Sequence, residues 1–181
     1  MKIQDAVKQM HTGDVLLVEG TGLMSELIEG ATSSKFSHAA IFYRDGVVNM
    51  VAEENERDGA GGEILNAGFQ TVSLNVWLTQ QTGPIHWGQS KDVVRQHPQK
   101  TLDMIEGYKT HGAEGHYGFL SLIPILISHL TGEDVPIPDW SEVCSTLAAE
   151  DLREAGDETV KQAATPGDIA AACVALTPLE V

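Results

Sequence analysis

Ser37-His38-Ala39-Ala40-Ile41-Phe42-Tyr43-Arg44-Asp45-Gly46-Val47-Val48-Asn49-Met50-Val51-Ala52-Glu53 is the stretch on which the reading of the fold turns. Two runs of strand length, Ser37 to Tyr43 and Val47 to Ala52, flank Asp45-Gly46, a dipeptide favoured in type I′ hairpin loops. A two-residue loop at that dipeptide pairs Arg44 with Val47, and the register runs outward from there. Tyr43 then faces Val48, Ile41 faces Met50, and His38 faces Glu53. Opposed residues share a face with Cβ atoms about 5 Å apart, so the pattern predicts a histidine beside a carboxylate at the open end of a hairpin. A carboxylate so placed fixes the imidazole tautomer and raises its basicity. The plainer alternative is a solvated ion pair, which stabilises little.

Upstream of the hairpin, Ile3, Val7 and Met10 mark a short amphipathic helix, and Val15 to Val18 is a continuous apolar run of strand length. Leu23 to Ile28 has helical spacing, ended by Gly30. Downstream, Glu54 to Gly68 is charged and glycine-rich and reads as an exposed, solvated loop. Thr71 to Val76 and Pro84 to Trp87 are predicted strands, and Pro98 to Tyr108 a helix with Pro98 in its first turn. His111 to Gly118 is a glycine-rich connection. Ser141 to Ala155 reads as a helix stopped by Gly156, and Ile169 to Leu176 as a strand after a Thr165-Pro166-Gly167-Asp168 turn. Helices and strands are mixed without regular alternation, which predicts an α+β fold.

The helix from Ser141 carries the second chemical signal. Ser141 is a good N-cap, which puts Cys144 at the third helical position. Unpaired N–H groups and the helix dipole both lower a thiol pKa there, and Leu147, Ala148 and Leu152 supply a buried face. A thiol at the first turn of a buried helix is a nucleophile candidate, with His38 as its base and Glu53 behind the histidine. The alternative is an inert buried cysteine, a common residue in cores. Cys173, among alanines in an apolar run, is explained by packing alone.

Composition narrows the function classes. The chain has 181 residues, consistent with a single domain over 1–181. Asp and Glu total 26 against 11 Lys and Arg, a net charge of -15 that repels phosphate backbones and anionic headgroups. Nucleic acid is therefore not an expected partner. The most apolar run, Phe119 to Leu130 with Pro124 inside it, falls short of the roughly 20 residues that a membrane span needs. Met1 to Gly20 shows no basic region followed by an apolar stretch, so no secretory signal is expected. Two cysteines make no disulfide framework, which points to a reducing compartment. His111, Glu114 and His116 lie close together, but without HExxH or paired CxxC spacing no metal is expected. No phosphate-binding loop, dinucleotide fingerprint or serine elbow is present, so no cofactor is expected either.

Gly13-Asp14-Val15-Leu16-Leu17-Val18, then Ser37-His38-Ala39-Ala40-Ile41-Phe42-Tyr43 and Asp45-Gly46-Val47-Val48, resemble the Gly-Asp strand and His-bearing hairpin of NlpC-type peptidases. In the standard arrangement the cysteine helix precedes that block. Here the matching element, Val143-Cys144-Ser145-Thr146-Leu147 through Glu154-Ala155-Gly156, follows it. That order is similar to the circularly permuted branch, the YiiX-like proteins, with lecithin retinol acyltransferases as more distant relatives. Tyr117 through Leu130 resembles the apolar stretch before the cysteine, and Thr165-Pro166-Gly167-Asp168-Ile169 the closing turn and strand. The motifs are short, and they cover most of the chain outside roughly Glu54 to His111.

The resemblance implies a papain-like fold with an antiparallel sheet packed against the cysteine-bearing helix. It implies roles for Cys144 as nucleophile, His38 as general base and Glu53 as orienting residue. The last departs from the histidine or other polar residue often found there, and Thr146 stands where a carboxylate is expected. The backbone N–H of Cys144 is the natural first oxyanion donor, and Tyr117, by its place in the family-like segment, is the candidate for the second. The expected function is a thiol amidase or peptidase working through an acyl-enzyme on peptides of cell-wall type. One alternative is an ester or thioester hydrolase or acyltransferase, with Phe119 to Leu130 lining an acyl groove. Another is a non-catalytic module in a larger assembly such as a phage particle. The expected setting is the cytoplasm or a virion, and the expected partner a peptide or acyl substrate.

Overall fold

The apolar run that begins at Val15 has no polar face, and the computed structural model shows why. It forms β1 (Asp14–Val18), whose residues are all buried. Val15 and Leu17 enter one core, and Leu16 and Val18 enter another on the opposite side of the sheet. The structure describes residues 1–20, 34–55, 68–111 and 144–181.

The other strands are β2 (His38–Asp45), β3 (Val48–Asn55), β4 (Gly68–Ser73), β5 (Ile85–Gln89) and β6 (Ala175–Leu179). They form one six-stranded sheet in the order β4-β3-β2-β1-β5-β6. Each neighbouring pair is antiparallel. Helices α1 (Ile3–Val7) and α2 (Leu74–Gln80) contribute Ala6, Leu74 and Trp77 to the core that holds Leu16, Ala40, Phe42 and Val51. On the other face lie the short α3 (Asp92–Arg95), α4 (Pro98–His111), α5 (Cys144–Glu154) and α6 (Pro166–Ala172). Their Val94, Ile105, Leu147, Leu152 and Ile169 pack with Val15, Leu17, Ala39, Ile41 and Ala52. The fold is therefore α+β, with an antiparallel sheet packed against the cysteine-bearing helix. Among the described residues no helix is long and apolar enough to cross a membrane.

Several boundaries differ from the sequence reading. The β-prone run Thr71 to Val76 straddles two elements: β4 ends at Ser73, whose hydroxyl accepts the Val76 N–H and caps α2. Ile169 to Leu176 is not one strand. Thr165 and Asp168 form a reciprocal capping box, Thr165 Oγ1 accepting the Asp168 N–H at 3.0 Å and Asp168 Oδ2 accepting the Thr165 N–H at 2.9 Å. Pro166 follows at the start of α6, the alanines continue it, and the strand begins only at Ala175. Gly156 does end α5, at φ +111, with Gly156 N–H to Arg153 O and Asp157 N–H to Leu152 O closing a Schellman turn. The segments Leu23 to Ile28 and Phe119 to Leu130, and Ser141 with its capping role, lie outside the described residues.

The Gly13-Asp14 motif has a structural explanation. Asp14 is fully buried. Its carboxylate accepts from the N–H groups of His11 and Ser90, the indole of Trp87, and Nε and Nη2 of Arg95, all within 2.8–3.0 Å. Gly13, at φ +90, lets the chain turn into this knot; a Cβ there would sit 2.8 Å from Val94 Cγ1.

Candidate active site

The hairpin delivers His38 and Glu53 to one another, by a different register from the predicted one. Asp45 pairs with Val48, so the loop is Gly46-Val47, with Gly46 at φ +58. Tyr43 accordingly faces Met50 and Ile41 faces Ala52. Moving the partner by two residues leaves each side chain on its face, so the hydrophobic pattern does not separate the two registers. Glu53 is thus a diagonal neighbour of His38 rather than its direct opposite, a separation that long side chains span. His38 Nε2 and Glu53 Oε2 are 2.7 Å apart.

Glu53 is fully buried, and His38, Trp77 and Gln70 are among the donors that hold it. Oε2 accepts from His38 Nε2 and, at 2.6 Å, from the Trp77 indole of α2; Oε1 accepts from Gln70 Nε2 of β4, also at 2.6 Å. Burial works to raise its pKa, but the hydrogen bond and charge of His38, with the Trp77 and Gln70 bonds, hold it below the usual carboxylate value. The ring nitrogen turned to Glu53 is Nε2, and the same imidazole also hydrogen-bonds the Cys144 side chain.

Cys144 opens α5, which packs on β2 and β3, and is 5% exposed. Burial pushes its thiol pKa up. The charge and hydrogen bond of His38, together with a hydrogen bond from the Ala39 backbone N–H, outweigh it, and the thiol lies below its ordinary value. His38 moves the other way. Burial disfavours its charge, yet the Cys144 sulfur and Glu53 push it up to about 10. Both directions favour the thiolate–imidazolium form over the neutral pair, as in an activated thiol.

The remaining sequence candidates separate from this group. Tyr117, Glu114 and His116 lie outside the described residues, and His111 ends α4. Among the described residues no group of three or more His, Cys, Asp and Glu is arranged to hold a metal ion. Both cysteines are free; Cys173 donates to Ile169 O, and burial, with the charges of Asp14 and Asp157, pushes its thiol up to about 12. The stretch from Glu54 to Gly68, read as an exposed loop, begins instead with a buried residue at the end of β3, Glu54 at 1% exposure. Sequence reasoning missed Trp77, Gln70 and the Ala39 N–H. Ser73, as an N-cap before an apolar run, was the available signal for the helix that carries Trp77.

A second histidine–carboxylate pair lies at the same end of the sheet. His86 Nε2 meets Glu19 Oε1 at 2.7 Å, and Lys35 Nζ meets the same oxygen at 2.6 Å. Lys35 holds the Glu19 carboxyl below its usual pKa, against partial burial.

No family model matches the chain, and no curated protein matches its sequence. Among solved structures it is similar to the metalloprotein YiiX of Escherichia coli O157:H7, with a TM-score of 0.62 over 95% of this chain and 97% of that one, at 14% identity. A likeness at that identity speaks for architecture, and it is consistent with a papain-like arrangement of sheet and cysteine helix. The protein is an α+β chain with a YiiX-like fold.

Proposed function

We propose that the protein is a thiol hydrolase that forms an acyl-enzyme on Cys144, with His38 as its acid and base and Glu53 as the residue that orients the imidazole. The observation that carries the reading is the alignment of Cys144, His38 and buried Glu53, with His38 Nε2 2.7 Å from Glu53 Oε2, an arrangement that lowers the thiol and raises the imidazole. The Cys144 thiolate attacks the substrate carbonyl, and the His38 imidazolium gives its proton to the leaving amine as the C–N bond breaks. Water then attacks the thioester, His38 takes its proton, and the carboxylic acid leaves as the thiolate returns. Glu53, clamped by Trp77 and Gln70, keeps the ring aimed through both steps.

The likeness of the Gly-Asp strand and His hairpin to NlpC-type peptidases favours an amide in a cell-wall-type peptide as substrate. The same thiolate is competent toward esters and thioesters, so both classes belong in the test. One observation favours a second reading, a domain that keeps the fold without turnover: Cys144 is 5% exposed.

Intact-mass analysis after mixing with a p-nitrophenyl acyl ester separates the two. The hydrolase reading expects a single acyl adduct, mapped to Cys144, that decays as free acid is released and is missing in His38→Ala. Absence of any adduct on folded protein, with peptide and ester panels equally unturned, contradicts it. Rates on the two panels then assign the substrate class.

A further inference from the structure

We propose that the main-chain N–H of Ala39 is a catalytic group of this site, the fixed donor that holds and aims the ionised sulfur of Cys144. The inference rests on the thiol-hydrolase reading above and adds to it a donor that carries no titratable proton at working pH.

The argument begins in the hydrogen-bond alternation of β1. Glu19 N–H bonds to Pro84 O at 2.9 Å, continuing the register in which Leu17 pairs with His86 and Val15 with Gly88. In an antiparallel ladder, alternate residues exchange both bonds with one neighbour, so odd-numbered β1 residues face β5 and even-numbered ones face β2. Their partners in β2, Phe42, Ala40 and His38, use their main-chain groups toward β1. The intervening residues Ala39, Ile41 and Tyr43 therefore aim their N–H groups at β3.

That ladder stops one step short. The β2–β3 pairing runs from Asp45↔Val48 to Ile41↔Ala52. Past it, β3 pairs on its other side, Glu53 with Gln70, Glu54 with Phe69 and Asn55 with Gly68. The N–H of Ala39 thus leaves β2 just beyond the end of its ladder, in a residue with no solvent exposure. A buried N–H needs an acceptor, and the Cys144 sulfur, on the helix packed against β2 and β3, takes a hydrogen bond from it. The break in the ladder is what opens that N–H to the sulfur.

The two donors to the sulfur differ in kind. His38 donates when protonated and gives up its proton during the reaction. The amide donates in both protonation states of the pair and does not move, because its strand is hydrogen-bonded to β1 on the other edge. It keeps the sulfur in place when the imidazole is neutral, including while the thioester waits for water.

The direct test is an amide-to-ester exchange at residue 39, with L-lactate replacing alanine, in full-length protein carrying Cys173→Ala so that Cys144 is the only thiol. The exchange removes one N–H and keeps the methyl side chain. The readout is the pH profile of iodoacetamide alkylation. The expected result is a folded protein whose apparent thiol pKa rises by about one unit, a tenfold loss of thiolate on the acid side. An unchanged profile in a folded ester variant, beside a low thiol pKa in the parent, overturns this inference and leaves the hydrolase reading standing. An ordinary thiol pKa in the parent overturns both. Should the ester chain fail to fold, alanine-labelled parent protein decides. The Ala39 amide proton resonance should move as the thiol titrates and again on Cys144→Ala, and a resonance indifferent to both overturns the proposal.

Discussion

Asp14, at the start of β1, and Glu53, beside its far end, are both fully buried carboxylates, and each accepts a hydrogen bond from a tryptophan indole. They differ in their cation. Asp14 is matched by both Nε and Nη2 of Arg95, and a guanidinium is a permanent cation. Glu53 is matched by His38, which also hydrogen-bonds Cys144. A buried carboxylate with a permanent cation pins the sheet; the same carboxylate with a titratable cation raises the pKa of that cation, here the imidazole beside Cys144. The second pair, His86 and Glu19, underlines the point: there the carboxylate is shared with Lys35.

The strongest way to break this contrast is Asp14→Ala. It leaves Arg95 largely buried without its counter-charge and should cost about 3–5 kcal/mol in chemical denaturation. A loss of thiol reactivity at unchanged stability would mean that Asp14 belongs to the reactive site after all.

Asp151 supplies a third case, a buried carboxylate with no paired cation among the described residues. Among the described residues neither of its oxygens has a hydrogen bond; the Thr101 hydroxyl lies near enough to ease the charge but not in hydrogen-bond geometry. Burial first, and then the charge of Glu150, raise it to about 7. A carboxyl with a raised folded pKa stabilises the fold when protonated, so stability should fall as pH rises from about 4 through about 7. Asp151→Asn should remove that slope and gain on the order of 2–4 kcal/mol at pH 8 with little change at pH 4, read from denaturation midpoints at the two pH values. A parallel shift at both would show that charge is not the cause.

Glu53→Gln sharpens the comparison at the site itself. It keeps the shape and removes the charge behind His38, so the alkaline limit of the thiolate–imidazolium pair should drop from about 10 by roughly one unit or more. Stability should change much less than in Asp14→Ala. The smallest effect is expected from Cys173→Ala. That thiol is pushed up to about 12 and belongs to the packing around Gly88, so acyl-adduct formation should be unchanged.

What was legible in the chain, and what was not, follows from the range of each signal. β1 showed itself as a run without a polar face, and Gly156 marked the end of α5. The meeting of His38 with Glu53 was legible because register errors of two residues preserve the face, and for the same reason the exact pairing was not. α2 and α6 were hidden by β-prone or small apolar runs, although Ser73 and the Thr165–Asp168 box are local capping signals. Trp77 and Gln70 reach Glu53 from elements 24 and 17 residues away, and no short-range pattern encodes those contacts. The Ala39 N–H is main chain, so residue identity carries no trace of it.

The most direct test of the central claim is the pH dependence of Cys144 alkylation by iodoacetamide, compared between Cys173→Ala protein and the same protein with His38→Ala. An activated pair predicts substantial reaction well below pH 7, with that advantage lost on removing the imidazole. A thiol that titrates near ~8.5 in both proteins, as an unperturbed cysteine does, would contradict the account.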